Sequence, residues 1–315
     1  MFKKLDTILI GSSLTEASDP VVRSGVLLAR RAGAKVHLAH ACSMPMTYGG
    51  APFFPDVPLG EVFKAERAAL QRQLDDQIAR LGIDRMELAG IHLDVSPAHR
   101  YLIDTAREIG ADLIVVGSSE SPRLAKVFGS TADRVVRKAT CPVLVVRHEV
   151  QLPMRRILLP VDLSPLASET FDAGMRFLTW TAGGAPPTVD ALFVLTELDR
   201  EALSARATDA EVEQLATQEL RHFVLRHSSG VPFKVDAAVE AGFVDTGILD
   251  RIEADQPDLT ILGTHGRSGF ERFVLGSVAS TVIRHGAGNL LVIPPLAARE
   301  ESRAAEAKKE GEVLV

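Results

Sequence analysis

Only two cysteines, Cys42 and Cys141, occur in the 315 residues, and they are not in Cys-x-x-Cys spacing. That excludes a disulfide framework and favours a reducing compartment. Long hydrophobic runs are missing as well: no apolar stretch approaches the ~20 residues of a membrane-spanning helix. The opening Met1 to Asp6 lacks the apolar core and small-residue cleavage site of a signal peptide. A cytoplasmic protein without a membrane partner is therefore expected. Dense Lys/Arg runs are absent; Arg30, Arg31 and Lys35 come nearest. With 35 basic against 41 acidic side chains the formal charge is −6, which disfavours nucleic acid as a partner, since neutralising phosphates needs a basic face.

Several chemical signatures are missing too. No P-loop lysine follows Gly242 to Gly247, where Ile248 stands. No G-x-G-x-x-G occurs: Gly286-Ala287-Gly288 leads to Leu291 where the last glycine belongs, and it reads as a helix stop. Without a Gly-x-Ser-x-Gly elbow, acyl transfer has no nucleophile candidate. The nine histidines supply no metal set. His37 and His40, three apart on a strand, face opposite sides, and His222 and His227, five apart on a helix, are separated around its axis. No metal site and no catalytic residue are expected.

What is present is a globular composition, 46% hydrophobic and 24% charged, at a length of roughly two domains. Short β-branched runs alternate with amphipathic segments. In the first half the strand-like runs are Thr7–Ile10, Lys35–Ala39, Glu87–Leu93, Leu113–Val116 and Val143–Val146. Between them lie helical patterns at Asp19–Ala32, Glu61–Leu81, Arg100–Ile109 and Gly129–Lys138. Such alternation predicts a parallel sheet covered by helices on both faces. The second half repeats it at an offset of roughly 146 to 150 residues, a duplicated domain rather than a solenoid. Arg156–Pro160 answers Asp6–Ile10, Asp258–Gly263 answers Asp112–Gly117, and Leu290–Ile293 answers Val143–Val146. The expected boundaries are 1–148 and 154–297, followed by a charged tail at 298–315. Ser43 to Gly60 reads as a long loop of the first half, either a lid or disordered. Phe177 and Trp180 read as core.

Ligands of open parallel sheets bind at the carboxyl ends of the strands. After the strand Leu259–Leu262 come Gly263, Gly266 and then Gly276-Ser277, which opens a helix. Glycines let backbone N–H groups approach an anion, and a helix start offers unpaired N–H groups and partial positive charge to a phosphate. Ser277 could cap that helix and donate to a phosphate. Arg267 could add positive charge or lie on the surface, and His265 reads as a solvated loop residue that could also touch a phosphate. At the end of the strand reaching Pro160 and Val161, Asp162 could bind ribose hydroxyls or cap the following helix.

These residues resemble the universal stress protein family in its tandem form. The family signature G-x2-G-x9-G-[S/T], with an acid ending the first strand, is matched by Gly263, Gly266, Gly276, Ser277 and Asp162. The resemblance covers about Leu5 to Arg147 and Arg155 to Pro295. It implies two open five-stranded parallel sheets of the adenine nucleotide alpha hydrolase-like type and, in the ATP-binding branch, a bound ATP. Asp162 would then hold ribose and adenine, with Pro160, Val161 and Val194 at the base. Gly266, Gly276, Ser277 and the Val278 amide would hold the phosphates, through which Mg²⁺ could also bind. Leu262 and Gly263 would line the wall between.

The first half departs from this signature. Glu120 stands where the second glycine belongs, eight residues separate it from Gly129-Ser130, and Ser12 takes the place of the acid. A carboxylate facing triphosphate costs on the order of a few kcal/mol when poorly hydrated, so ATP is expected in the second half alone. The expected role is an ATP-binding stress-response regulator acting on an unidentified partner protein. The alternative is a slow ATPase or phosphotransfer enzyme at the same site, disfavoured because no general base stands near the motif. The apolar closing runs Val143–Val146 and Leu290–Ile293 are expected to pair with each other and cover otherwise open sheet edges. The family's single-domain members resemble this by dimerising through the same strand. A homodimer of two chains is a weaker expectation.

Overall fold

The computed structural model describes residues 4–42, 59–118, 129–181, 184–204, 208–265 and 275–296. The first half runs β1 (Thr7–Gly11), α1 (Asp19–Ala32), β2 (Lys35–Ala41), α2 (Leu59–Leu81), β3 (Leu88–Asp94), α3 (Ala98–Glu108), β4 (Leu113–Gly117), α4 (Ser130–Lys138) and β5 (Val143–Val146). The second runs β6 (Arg156–Pro160), α5 (Pro165–Thr181), β7 (Thr188–Leu195), α6 (Glu197–Ser204), α7 (Asp209–His227), β8 (Lys234–Ala241), α8 (Val244–Asp255), β9 (Leu259–Gly263), α9 (Ser277–His285) and β10 (Leu290–Ile293). Of the expected Ser43 to Gly60 loop, Leu59 and Gly60 already belong to α2; residues 43–58 lie outside the described residues. So do Glu120 and the tail from 297 onward.

The elements follow from local chemistry. α1 begins with Pro20 in its first turn, where the missing N–H costs nothing, and stops at Gly33, whose φ of 69° suits glycine. α7 starts on a capping box, Thr208 and Glu211 each bonding the other's backbone N–H. The central strands β4, β5 and β10 are buried at nearly every residue, as parallel strands covered on both faces must be.

All ten strands form one sheet in the order β3-β2-β1-β4-β5-β10-β9-β6-β7-β8. Each half is a parallel five-stranded unit with the strand order reversing between β1 and β4, or between β6 and β9. The halves meet where β5 and β10 pair antiparallel, with Leu290 opposite Val145, Leu291 opposite Leu144 and Val292 opposite Val143. These strands are thus interior to the joint sheet. Both cores run across the seam. On one face Ile8, Leu144, Ile157, Phe171 and Leu291 share a cluster; on the other Leu9, Val143, Val145, Leu158 and Val292 do. Period-two alternation sends neighbours to opposite faces, and α1 packs on α5 across the halves.

Candidate functional site

At the carboxyl end of the second half's strands lies a cavity of about 320 Å³. The reversal of strand order between β6 and β9 opens a crevice there, because crossovers leave these two strands in opposite directions. Pro160, Val161 and Asp162 enter it from β6, Val194 from β7, Leu262 and Gly263 from β9, and Gly276, Ser277 and Val278 from the start of α9. Every candidate among the described residues lines this one cavity; Gly266 and Arg267 lie outside the described residues.

One end is aliphatic. Val161, Leu192, Val194, Ile248 and Leu262 line it, all buried, a set of flat-sided apolar contacts suited to a planar ring. Asp162 stands at its edge. One of its carboxylate oxygens accepts the Ser164 N–H at 3.0 Å, an Asx-type turn that brings Leu163 to a φ of 60°. The cap of α5 is Ser164, whose hydroxyl accepts the Ala167 N–H at 3.1 Å. The helix-capping reading of Asp162 is thereby corrected: it shapes the turn, and its neighbour caps.

The other end is polar. Gly263 leaves β9 with no room for a side chain, since a Cβ would lie 2.7 Å from the Thr170 hydroxyl oxygen. The chain returns at Gly276, whose N–H donates to the Thr264 carbonyl at 2.8 Å. Gly276 is the N-cap of α9 and makes no side-chain cap bond. Ser277 is therefore the first helical residue and not the cap, another correction, and its exposed hydroxyl stands beside the unpaired N–H groups of the first turn. His265 is half-buried in the cavity wall, 2.9 Å through Nδ1 from the Thr264 hydroxyl, rather than solvated. Thr170, Ile248 and Thr196 also line the cavity. The glycine motif does not mention them, because they arrive on α5, α8 and the exit of β7. The far end of α9 is held by the first half. The Arg147 guanidinium donates to the Ile283 and Gly286 carbonyls, and burial pushes its pKa below the usual arginine value.

The corresponding region of the first half is built differently. Strand register places Gly11 opposite Ala39 and Pro160 opposite Leu192, and Leu14 repeats the positive φ of Leu163. Ser13, not Ser12, is thus the counterpart of Asp162, and Ser12 that of Val161. The Ser12 hydroxyl is tied to Ser18 at 2.9 Å and donates to Gln77 at 2.7 Å, within a buried network that reaches Asp19 and Arg80.

The model of the family described as "Universal stress protein family" matches residues 4–147 and 153–294. The chain belongs to the universal stress protein family. A universal stress protein of Mycolicibacterium smegmatis is 27% identical over 308 residues, 91% of this chain and 97% of that one. Two solved structures share the fold at 17% identity. One is a functionally unknown protein from Pseudomonas aeruginosa, with a TM-score of 0.67 over 96% of this chain and 98% of its own. The other is a universal stress protein from Archaeoglobus fulgidus, with a TM-score of 0.62 over 93% and 97%. Among the described residues no helix is long and apolar enough to cross a membrane, and no cluster of three or more His, Cys, Asp or Glu side chains could hold a metal ion.

Proposed function

We propose that the second half binds ATP and that this protein is a nucleotide-responsive stress regulator. The observation that carries this reading is one cavity with an aliphatic end, a carboxylate at its edge and a helix start at its polar end. These three chemistries fit the three parts of a nucleotide. Val161, Val194 and Leu262 would take the base. Asp162 would accept from ribose hydroxyls, as acids at strand ends do in dinucleotide sites. Gly276, Ser277 and the Val278 N–H would face the phosphates, with Gly266 and Arg267 as the sequence motif's further contributions, and Mg²⁺ would be carried by the phosphates themselves. We read the protein as a regulator acting on a partner protein rather than as an ATPase or phosphotransferase. We also read the halves as domains at 1–148 and 154–297, in a cytoplasmic protein.

Calorimetric titration with ATP and Mg²⁺ tests the assignment. The expected result is one site per chain, weakened about tenfold or more by Asp162→Asn, the loss of a charge-assisted hydrogen bond. Replacing Gly266 with Glu should abolish binding. Two equivalent sites, or unchanged affinity in both variants, would overturn it. Mg²⁺-dependent release of phosphate at an enzymatic rate would favour the hydrolase instead.

A further inference from the structure

The first half has its own cavity, and the chemistry of its walls is not that of the second. Its volume is about 410 Å³, against about 320 Å³, and both lie at the small end of the ~300–1,000 Å³ range of small-molecule sites. It opens at the carboxyl ends of β1, β2 and β4, beside the start of α4, so the two linings correspond position by position.

Ala39 stands where the second half has Leu192, Ala41 where it has Val194, and Ala98, first residue of α3, where α8 begins with Val244. Three branched side chains become three methyl groups. The aliphatic end is reduced to Leu102 and Val116, the counterparts of Ile248 and Leu262, and the space is wider. Val161 is replaced by Ser12 and the acid Asp162 by Ser13. Among the described residues no Asp, Glu, Lys or Arg lines this cavity.

The polar groups are hydroxyls and one imidazole. Ser12 and Ser18 belong to the Gln77 network, and Ser13 bonds Thr15 at 2.8 Å. Ser118 lines the cavity at 7% exposure, and its backbone N–H and carbonyl are bonded to Val146 and Gly129. Its counterpart Thr264 bonds His265. Ser130 and Thr131, in the first turn of α4, add two hydroxyls to the same wall. His40 lies opposite, its Nδ1 2.7 Å from the Ser12 carbonyl, leaving Nε2 as the ring's second polar atom.

We propose that this cavity binds an uncharged polyhydroxylated molecule of mono- to disaccharide size. Ser118, Ser130, Thr131 and His40 supply neutral groups that both donate and accept, which is what a sugar hydroxyl requires. The alanines supply width. Among the described residues the wall lacks the acid and three of the branched side chains that a nucleoside would use in the second half.

Saturation-transfer NMR and calorimetry on the full chain, with ribose, glucose, myo-inositol and maltose as probes, test this without reference to ATP binding in the second half. At least one probe should bind. Ser118→Ala should weaken it fivefold or more, and Ala98→Val, which narrows the widened end, should do the same. Both variants are small changes, and unchanged melting temperature and ATP titration would show the fold intact. The proposal is overturned if no probe binds, if both variants bind sugar like the parent, or if ATP displaces sugar in the Asp162→Asn protein.

Discussion

Gly263 sits where the β9 backbone must pass the Thr170 hydroxyl, and the contact is with a short, stiff side chain of a buried helix face. Gly263→Ala would force the two groups apart. We expect a loss of about 1–3 kcal/mol, the usual cost of overpacking, read as a fall in melting temperature. Thr170→Ala in the same chain should restore part of it, because the offending oxygen is removed. At the same scale the Asp162 carboxylate and the Ser164 hydroxyl divide two tasks that one motif position had suggested for a single residue. The acid was legible in the sequence as a strand-end residue. Its turn was not, because a positive φ at Leu163 cannot be read from a leucine.

Among the elements, the edge pair β2 and β3 carries a titratable contact. His37 Nδ1 lies 2.9 Å from His92 Nε2 with the rings stacked, and Gly90 is what lets them approach, since a Cβ there would fall 2.5 Å from His37 Nδ1. Burial lowers the pKa of both. The His92 charge and then Lys35 add to this for His37, while Glu108 opposes it for His92. A histidine with a lowered folded pKa binds fewer protons folded than unfolded. Its stability contribution is therefore full above the unfolded value of ~6.5 and falls as pH drops through that value toward the folded one. Melting temperature measured from about pH 8 to about pH 5 should fall on the acid side, and less so in His92→Gln. An equal slope in both proteins would refute the assignment. The helices and strands themselves were largely legible: α1 and β5 end where apolar spacing and a terminal glycine or alternation place them. The start of α2 was not, because Leu59 and Gly60 close a Pro- and Gly-rich stretch that carries no helical periodicity.

For the whole molecule, the seam between β5 and β10 makes ten strands one sheet. Val145 and Val292 are each 1% exposed or less, and both contribute to a core shared by the halves. A carboxylate at either would be buried without a partner. Val145→Asp or Val292→Asp should cost more than about 3 kcal/mol and expose both cores. Dye binding to exposed apolar surface and a lowered midpoint in denaturant would report it. A variant that melts like the parent would mean that the seam tolerates charge and that the halves are held together elsewhere, by α1 against α5 or by Arg147 on the α9 carbonyls.

By itself, the sequence determined the alternation of strands and helices, the duplication, and the glycine and acid positions of the second half, because each is a local or periodic signal carried by neighbouring residues. It also implied, through two closing apolar runs, that an edge had to be covered. Only the tertiary structure decided what covers it and in which register. Only the structure brought Thr170, Ile248 and Thr196 to the cavity. The structure also assigned Ser13, and not Ser12, to the place of Asp162, and left the first half with a wider, hydroxyl-lined cavity. Those outcomes depend on crossover helices delivering side chains from distant segments to one strand end, and no local pattern encodes the distance between residues that meet only after the sheet has closed.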